Sequence, residues 1–251
     1  MELGAFNRSF SMQHWLETDL GQTLVESEQK LLNDRLQACF GYRLLQLSFG
    51  DVSLYGCSRI GHCFSLAPSQ LAGSHGAVAH YEALPLEQDS IDVVILHHVL
   101  EFSDNPHQVL REARRILVPN GKMFIFVLNP WSLFSLRCLA SRLAGNKFWH
   151  RQYLSNRKLQ DWLSLLELKP HSLNYGFHHF PVNSSRFLQK SHRFGQYAQR
   201  ISMPFGGVYM IEATKEVNPL TPVRSRWQGW SRGFQGLGVA QPTMPVSNRV
   251  H

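Results

Sequence analysis

The chain of 251 residues is 43% hydrophobic and 17% charged, with 18 Gly and 12 Pro. This composition is typical of a globular protein and excludes collagen-like, coiled-coil and wholly disordered classes. The net charge is +7, but the segment after Glu216 carries four Arg and no acid. Most of the excess charge therefore lies in the C-terminal tail and indicates little about the folded part.

Cysteine and histidine spacing argues against a disulfide scaffold and against a metal site. The four cysteines form no CxxC pair, so we expect reduced thiols and no zinc knuckle; they are Cys39, Cys57, Cys63 and Cys138. The 13 histidines form no HExxH or HxH pair. No apolar run approaches the ~18 residues needed to span a bilayer, and no leader peptide is evident, which predicts a soluble cytoplasmic protein.

Residues 217–251 have the composition of a tail. They contain four Pro, four Gly and four Arg beside Trp227, Trp230 and Phe234, without helical or strand periodicity. We expect this tail to be disordered. RNA or an acidic membrane surface could bind its Arg and Trp residues, but we favour a solvated C-terminus. The sequence does not indicate an oligomeric state.

In chain order, the first predicted element is an amphipathic helix over Asp19–Ala38, which Gly41 ends. Short runs bounded by Gly, Ser or Pro then predict strands at Arg43–Leu47, His62–Leu66 and Ala77–Tyr81. The almost continuously apolar run Ile91–Leu96 predicts a central parallel strand that is buried on both faces.

A strand–helix–strand unit follows over residues 91–128. Asp104-Asn105-Pro106 begins its helix, Pro119-Asn120-Gly121 ends it, and Lys122–Leu128 is a second buried strand. This unit implies a right-handed parallel crossover and hence an α/β sheet. Later elements are helices at Trp131–Phe148 and Leu159–Leu166, then strands at Leu173–Phe180 and Gly207–Lys215.

Four segments carry a resemblance to a known family: Glu82–Leu86, Asp89–Val94, His97–Glu101 and Leu110–Gly121. In this order and spacing they resemble the methyltransferase type 11 domain of class I S-adenosylmethionine (SAM)-dependent methyltransferases. Asn129–Phe134 and Trp162–Leu166 are similar to an uncharacterised bacterial branch of that family. The likeness runs from about residue 40 to Lys215.

The resemblance implies a Rossmann-like, doubly wound, seven-stranded, mostly parallel sheet. SAM would bind in the crevice at the carboxyl ends of the strands. The methyltransferase domain would cover residues 1–216, with a core at about 40–130 and acceptor-side elements at about 130–216. The tail would follow as a separate segment.

The family's glycine-rich turn and ribose-binding acid are degenerate in this chain. The stretch Gln46-Leu47-Ser48-Phe49-Gly50 corresponds to the family's acid-x-Gly-x-Gly turn and retains only Gly50. Ala67 lies where the family has an acid that accepts hydrogen bonds from the ribose hydroxyls. Losing such bonds, at about 1.5–3 kcal/mol, predicts SAM binding that is about 10- to 100-fold weaker.

Two further segments correspond to cofactor contacts in the family. Glu82 and Ala83, with Leu84 after them, would lie beside adenine, although a plain surface turn is the alternative. The backbone of His97 and His98 would pass the methionine and sulfonium end of SAM. Alternatively, one His caps the strand and the other packs under the next helix. No catalytic residue and no metal ligand is predicted.

Aromatic residues outside the core sheet are the candidates for an acceptor pocket, although they could equally be core residues: Trp15, Asn129–Trp131, Phe148–His150 and Phe177–Phe180. They would suit a planar or apolar acceptor. We therefore predict methyl transfer from SAM to an unidentified small-molecule acceptor. The alternative is an inactive methyltransferase-like scaffold, bound to RNA through the tail, which Gln46, Ser48 and Ala67 favour.

Overall fold

The protein was studied as a computed structural model, which describes residues 11–49, 51–68, 77–143, 152–178 and 206–216. The helices after the short helical segment 11–16 are α1 (Asp19–Gln37), α2 (Val99–Phe102), α3 (Pro106–Ile116), α4 (Leu133–Leu143) and α5 (Asn156–Leu165). The strands are β1 (Arg43–Ser48), β2 (His62–Ala67), β3 (Ala77–Val78), β4 (Ile91–His97), β5 (Leu117–Leu128), β6 (Leu168–Gly176) and β7 (Val208–Lys215).

The strands form a single seven-stranded sheet in the order β3-β2-β1-β4-β5-β7-β6. The pairs from β3 to β5 are parallel, whereas β7 is antiparallel to both β5 and β6. The predicted fold class is thus confirmed, with β4 between β1 and β5 at the centre. The strand order reverses direction at β1 and β4, which is where such sheets bind ligands.

Both faces of the sheet are covered, as the apolar strands require. In β1, Leu45 and Leu47 belong to one buried cluster with α3, while Leu44 belongs to the opposite cluster with α1. This alternation follows from the period of two in a strand. Side chains of α1 at intervals of four, such as Leu32 and Leu36, supply the apolar face on the α1 side.

Several predicted boundaries were wrong. Helix α3 ends at Ile116 and not at Pro119, because Leu117 already pairs with Ile91 in the sheet. The Pro119-Asn120-Gly121 turn lies inside β5, where the register shifts before Lys122 pairs with Val93. It is therefore a bulge in a strand and not a helix terminator.

Two further elements differ from their predicted bounds. Helix α4 begins at Leu133 and not at Trp131, because the Ser132 hydroxyl accepts a hydrogen bond from the Ser135 N–H at 3.1 Å and caps the helix. Strand β6 occupies Leu168–Gly176 and not 173–180, because it pairs with β7 along its length. Helix α2 was not predicted, since four residues carry no periodicity.

All described residues lie in one compact unit, Met1–Val217. The predicted disordered tail, 217–251, lies outside the described residues, as do Phe148–His150, Phe180 and Gly50. Among the helices that the structure does describe, none is both long enough and apolar enough to cross a bilayer.

Candidate active site

The candidate site lies where β1 and β4 end beside β5. Ser48 pairs with His97, and His97 pairs with Phe126, so the last residues of β1 and β4 lie side by side, next to β5 two residues before it ends. His98 follows with a φ of 56°, in the left-handed region. Consecutive residues in a strand face opposite sides, so this turn is what allows both His side chains to reach one partner.

That partner is Glu28 of α1. Its Oε2 lies 2.9 Å from Nε2 of His97, and its Oε1 lies 2.7 Å from Nε2 of His98. All three side chains are at most 1% exposed. One helix is thereby tied to the end of the central strand through a buried carboxylate.

The second nitrogen of each imidazole ring, Nδ1, also has a hydrogen-bond partner. Nδ1 of His97 lies 3.1 Å from Oγ of Ser48, and Nδ1 of His98 lies 2.8 Å from Oε1 of Glu101 in α2. The other oxygen of Glu101 accepts the backbone N–H of Leu128, at the end of β5, at 2.9 Å. We call this chain of five side chains the histidine–carboxylate network: Ser48, His97, Glu28, His98 and Glu101.

The hydrogen-bond partners assign the protons of this network. His98 faces a carboxylate on each side and donates from both nitrogens, so it is the cation. Burial alone would lower the pKa of His98, but Glu28 and Glu101 outweigh it and raise that pKa to about 10. His97 donates to Glu28 and accepts from Ser48, which fits a neutral ring. Burial lowers the pKa of His97, and the attraction of Glu28 does not compensate.

Glu28 is the anion between the two rings. Burial would raise the pKa of Glu28, but His98 and His97 together lower it to about 2. Glu28 and His98 therefore form a buried ion pair under the carboxyl edge of the sheet, and Glu101 accepts hydrogen bonds from His98 and from the backbone N–H of Leu128.

Glu28, His97 and His98 also present donor atoms within 4.8 Å of one another, which is the geometry of a group that could hold a metal ion. Each of these atoms already has a hydrogen-bond partner at 2.7–2.9 Å. Because both nitrogens of His98 donate to carboxylates, this ring has no lone pair left for a metal ion.

Gln46 lies at the position of the family's first acid, and its side chain is fully buried. Its amide N–H donates to the carbonyl of Val52, and its Oε1 accepts the N–H of Leu54 at 2.9 Å. Both ends are therefore engaged by the loop after β1. Gln46 shapes that loop, and its predicted contact with SAM stays a prediction.

Ala67 is the last residue of β2, and its carbonyl accepts the N–H of Ala79 at 2.9 Å. The structure thus places an apolar side chain at the strand end where the resemblance predicts the family's carboxylate. Gly50 lies outside the described residues, so its predicted contact with the methionine part of SAM is untested.

The Glu82-Ala83-Leu84 segment follows β3. The Leu84 backbone is engaged on both sides, because its N–H donates to Glu112 at 3.1 Å and its carbonyl accepts Arg115 at 2.9 Å. Both carboxylate oxygens of Glu82 accept from Asn105 at 3.1 Å. The loop is thereby held against α3, and its predicted place beside adenine is untested.

An open polar cleft of about 530 Å³ adjoins this loop. Of the nine predicted cofactor residues, Glu82 alone lines it, beside His107, Gln152 and Trp162. The cleft therefore adjoins the predicted adenine side but not the network. The ends of β1 and β2 lead instead into residues outside the description, at 50 and 69–76.

On the acceptor side, the structure brings three aromatic rings together. Phe134 packs against Trp15 and against Phe177, with ring centroids 5.6 Å apart in each pair. Asn129 anchors the adjoining turn by donating to the carbonyl of Gly206 at 2.9 Å. Trp131, in contrast, is 80% exposed and takes no part in this cluster.

The sequence analysis missed Glu28, Glu101 and Tyr81. Tyr81 is buried, and its hydroxyl donates to the backbone carbonyls of Ser48 and Leu66, which ties the ends of β1 and β2 together. A signal for Glu28 was present, because it follows Leu24 by one turn and precedes Leu32 by one turn on the apolar face of α1.

Comparisons with known proteins agree with this architecture. The family described as "Methyltransferase domain" matches residues 47–125, from the end of β1 into β5. A solved SAM-dependent methyltransferase from Thermotoga maritima has a TM-score of 0.63 and 16% identity, over 86% of this chain and 100% of that chain. At this identity the likeness shows the fold alone.

Two curated relatives extend the comparison. "Uncharacterized protein YafS" of Escherichia coli is 26% identical over 215 residues, 82% of each chain. "Malonyl-[acyl-carrier protein] O-methyltransferase 1" of Coxiella burnetii is 30% identical over 94 residues, 38% of this chain and 33% of that protein.

The strand order and the likeness to the Thermotoga maritima structure give the chain the fold of Rossmann-like class I methyltransferases. The match over residues 47–125 includes eight of the nine predicted cofactor residues, all except Gln46. Residues 47–125 are thus similar to this methyltransferase domain family, and the match and the fold together indicate a SAM-dependent methyltransferase with SAM as methyl donor.

Proposed function

We propose that this methyltransferase acts on a small-molecule acceptor, with SAM bound at the carboxyl ends of β1 and β4. The observation that carries the proposal is the family match, which begins at the end of β1 and spans the central strand. The histidine–carboxylate network supports it, because hydrogen bonds of 2.7–3.1 Å fix the ends of β1 and β4 to each other and to α1.

The side chains of Ser48, His97 and His98 all have partners within the network. SAM would therefore meet the backbone here, and the network would hold that backbone in place. Its role is positioning, because it fixes the relative positions of β1, β4 and the start of α2. The adenine would lie against Glu82 and Ala83, and the ribose near Ala67.

The reaction requires little acid–base chemistry from the chain. A lone pair of the acceptor forms a bond to the methyl carbon, the carbon–sulfur bond breaks, and its electron pair stays on sulfur. The products are the methylated acceptor and S-adenosylhomocysteine, and any proton on the attacking atom leaves to solvent. Alignment and exclusion of water then provide most of the acceleration.

The aromatic cluster beside the turn after β5 does not offer a binding surface. Phe134 and Phe177 are each 2% exposed and belong to the buried cluster that packs under α1, with Trp15 against it. A planar or apolar acceptor therefore remains a proposal from the aromatic composition of the sequence.

The test is calorimetric titration of the full chain with SAM and, separately, with S-adenosylhomocysteine. We expect one site for each ligand, with SAM bound more weakly than in family members that have the ribose carboxylate. Transfer of radioactive methyl groups from SAM to fractionated small molecules would then identify the acceptor. Failure to bind either ligand would overturn the proposal.

A further inference from the structure

Helix α4 exposes a continuous apolar stripe that no part of the described structure covers. Side chains at Leu133, Leu136, Leu139 and Leu143 are all exposed, and Trp131 precedes them in the adjoining turn. The opposite face is buried through Phe134, Ser135 and Cys138. The helix therefore has apolar residues on both its inner and its outer side.

The exposed residues share one face of the helix. At about 100° per residue, Leu139, Leu143, Leu136, Ala140 and Leu133 follow one another over an arc of about 120°. Single exposed leucines are common on protein surfaces, whereas a stripe of four with a neighbouring Trp indicates a contact surface.

The sequence in and after α4 carries charge of one sign. Residues 129–160 contain six basic residues and no acid; they are Arg137, Arg142, Lys147, Arg151, Arg157 and Lys158. A helix with an apolar outer face, a Trp at its start and a basic surrounding sequence is typical of segments that lie in the plane of a membrane interface. A protein partner would need matching acids, whereas an anionic bilayer offers both negative headgroups and an apolar layer.

We propose that the α4 stripe, consisting of Trp131, Leu133, Leu136, Leu139 and Leu143, binds the surface of an anionic lipid bilayer. Helix α4 starts five residues after β5 ends, so the bound bilayer lies at the carboxyl edge of the sheet. Together with the proposed function, on which this step rests, lipid binding implies that the methyl acceptor is an amphiphilic molecule that dissolves in the bilayer. Lipid binding itself requires neither SAM nor turnover.

The test is co-sedimentation of the full chain with phosphatidylcholine vesicles that contain or lack phosphatidylglycerol, without SAM. We expect binding to the anionic vesicles, with affinity that falls as salt screens the headgroups. The double variant Leu136→Ser/Leu143→Ser should bind about tenfold more weakly or worse, because two large apolar side chains no longer enter the bilayer.

Leu165→Ser is the matched control. Leu165, on α5, is 81% exposed, close to the 82% of Leu143, but it lies outside the stripe. The control should bind vesicles as the wild type does. A near-ultraviolet circular dichroism spectrum identical to that of the wild type would show that each variant is folded.

Three results would overturn the proposal: no binding of the wild type to anionic vesicles, equal loss in the control, or a dimer that only the double variant dissociates. The last would show that a second copy covers the stripe. SAM affinity is measured separately by calorimetry. A protein that does not bind vesicles could still bind SAM, which would leave the proposed function intact. A protein that does not bind SAM could still bind vesicles, which would leave the lipid-binding proposal intact.

Discussion

Glu28 and His98 are 70 residues apart in sequence, yet Oε1 of Glu28 lies 2.7 Å from Nε2 of His98 in the interior. Neither side chain is more than 1% exposed. A buried charge without a partner would cost several kcal/mol, so each residue makes the other tolerable in the core. The pair joins the first helix to the end of the central strand, where the family binds SAM.

The first prediction concerns Glu28→Gln. Removing this charge leaves the His98 cation with one carboxylate and disturbs both rings, so the free energy of unfolding should fall by about 3–5 kcal/mol. Urea denaturation measures this. Glu26→Gln is the matched control, because Glu26 is exposed on the same helix and should change stability by under about 0.5 kcal/mol. Equal effects of the two variants would contradict the role of the pair.

The second prediction is the pH dependence of stability. The folded pKa of His98 is raised to about 10, so its contribution is complete below the unfolded value of about 6.5 and is lost as pH rises towards 10. The folded pKa of Glu28 is lowered to about 2, so its contribution is present above about 4.5 and is lost as pH falls. The lowered pKa of His97 makes stability fall below about 6.5 as the unfolded ring takes up a proton.

The contributions of Glu28, His97 and His98 together give a maximum in the free energy of unfolding near pH 6.5. The measurement is the difference between the free energies of unfolding of the wild type and Glu28→Gln at each pH, because groups that the substitution does not affect cancel in this difference. It should be largest near pH 6.5 and shrink towards both pH 3 and pH 10. A difference that does not vary with pH would show that the network is not charged as assigned.

The third prediction is that Ala67→Asp strengthens SAM binding. A carboxylate at the end of β2 would accept hydrogen bonds from the ribose hydroxyls, each of about 1.5–3 kcal/mol, so affinity should rise about 10- to 100-fold by calorimetry. Ala67→Asn controls for size without the charge and should give a smaller gain. Unchanged affinity in a folded Ala67→Asp protein would show that another residue binds the ribose.

The fourth prediction compares two glycines after β1. Gly50→Val should abolish SAM binding if the methionine part of SAM passes close to the backbone at residue 50. Gly56→Val is the control, because a Cβ at Gly56 has no atom within 4 Å and its backbone does not require glycine. Thermal melts establish that both variants fold. Retention of normal SAM affinity in folded Gly50→Val would refute the proposed position of the cofactor.

The fifth prediction is that removal of residues 217–251 leaves the fold and SAM affinity intact. The last described strand ends at Lys215, whose ammonium group donates to Asp89 at 2.6 Å and closes the sheet. We expect truncation to change the free energy of unfolding by less than about 1 kcal/mol, which would shift Tm by no more than about 2–4 °C. A fall of Tm well beyond that range would show that the tail contributes to the folded unit.

Local patterns determined the elements around the sheet's centre. The almost continuously apolar run Ile91–Leu96 predicted a strand that is buried on both faces, and the stripe of Val109, Leu110 and Ala113 predicted a helix that packs against the sheet. A strand–helix–strand unit has one favoured hand, so the parallel crossover followed. The resemblance then implied a doubly wound, seven-stranded, mostly parallel sheet.

Periodicity could not predict features that depend on partners distant in sequence. Pro119-Asn120-Gly121 has the composition of a terminator, yet pairing of Leu117 with Ile91 draws it into β5 as a bulge. The polar start of β6 at Lys169 does not indicate a strand, but β7 pairs with it there. In both places tertiary hydrogen bonds outweigh the local preference of the chain.

The sequence by itself thus determined the α/β class, the central strand and the absence of a carboxylate at Ala67, because these depend on the identity and spacing of neighbouring residues. Only the tertiary structure decided what His97 and His98 do. Their partner Glu28 lies on another element, and the left-handed turn at His98 brings both rings to it. A charge on an apolar helix face is stable only when the folded chain supplies its counter-charge, and no local pattern specifies where that counter-charge lies.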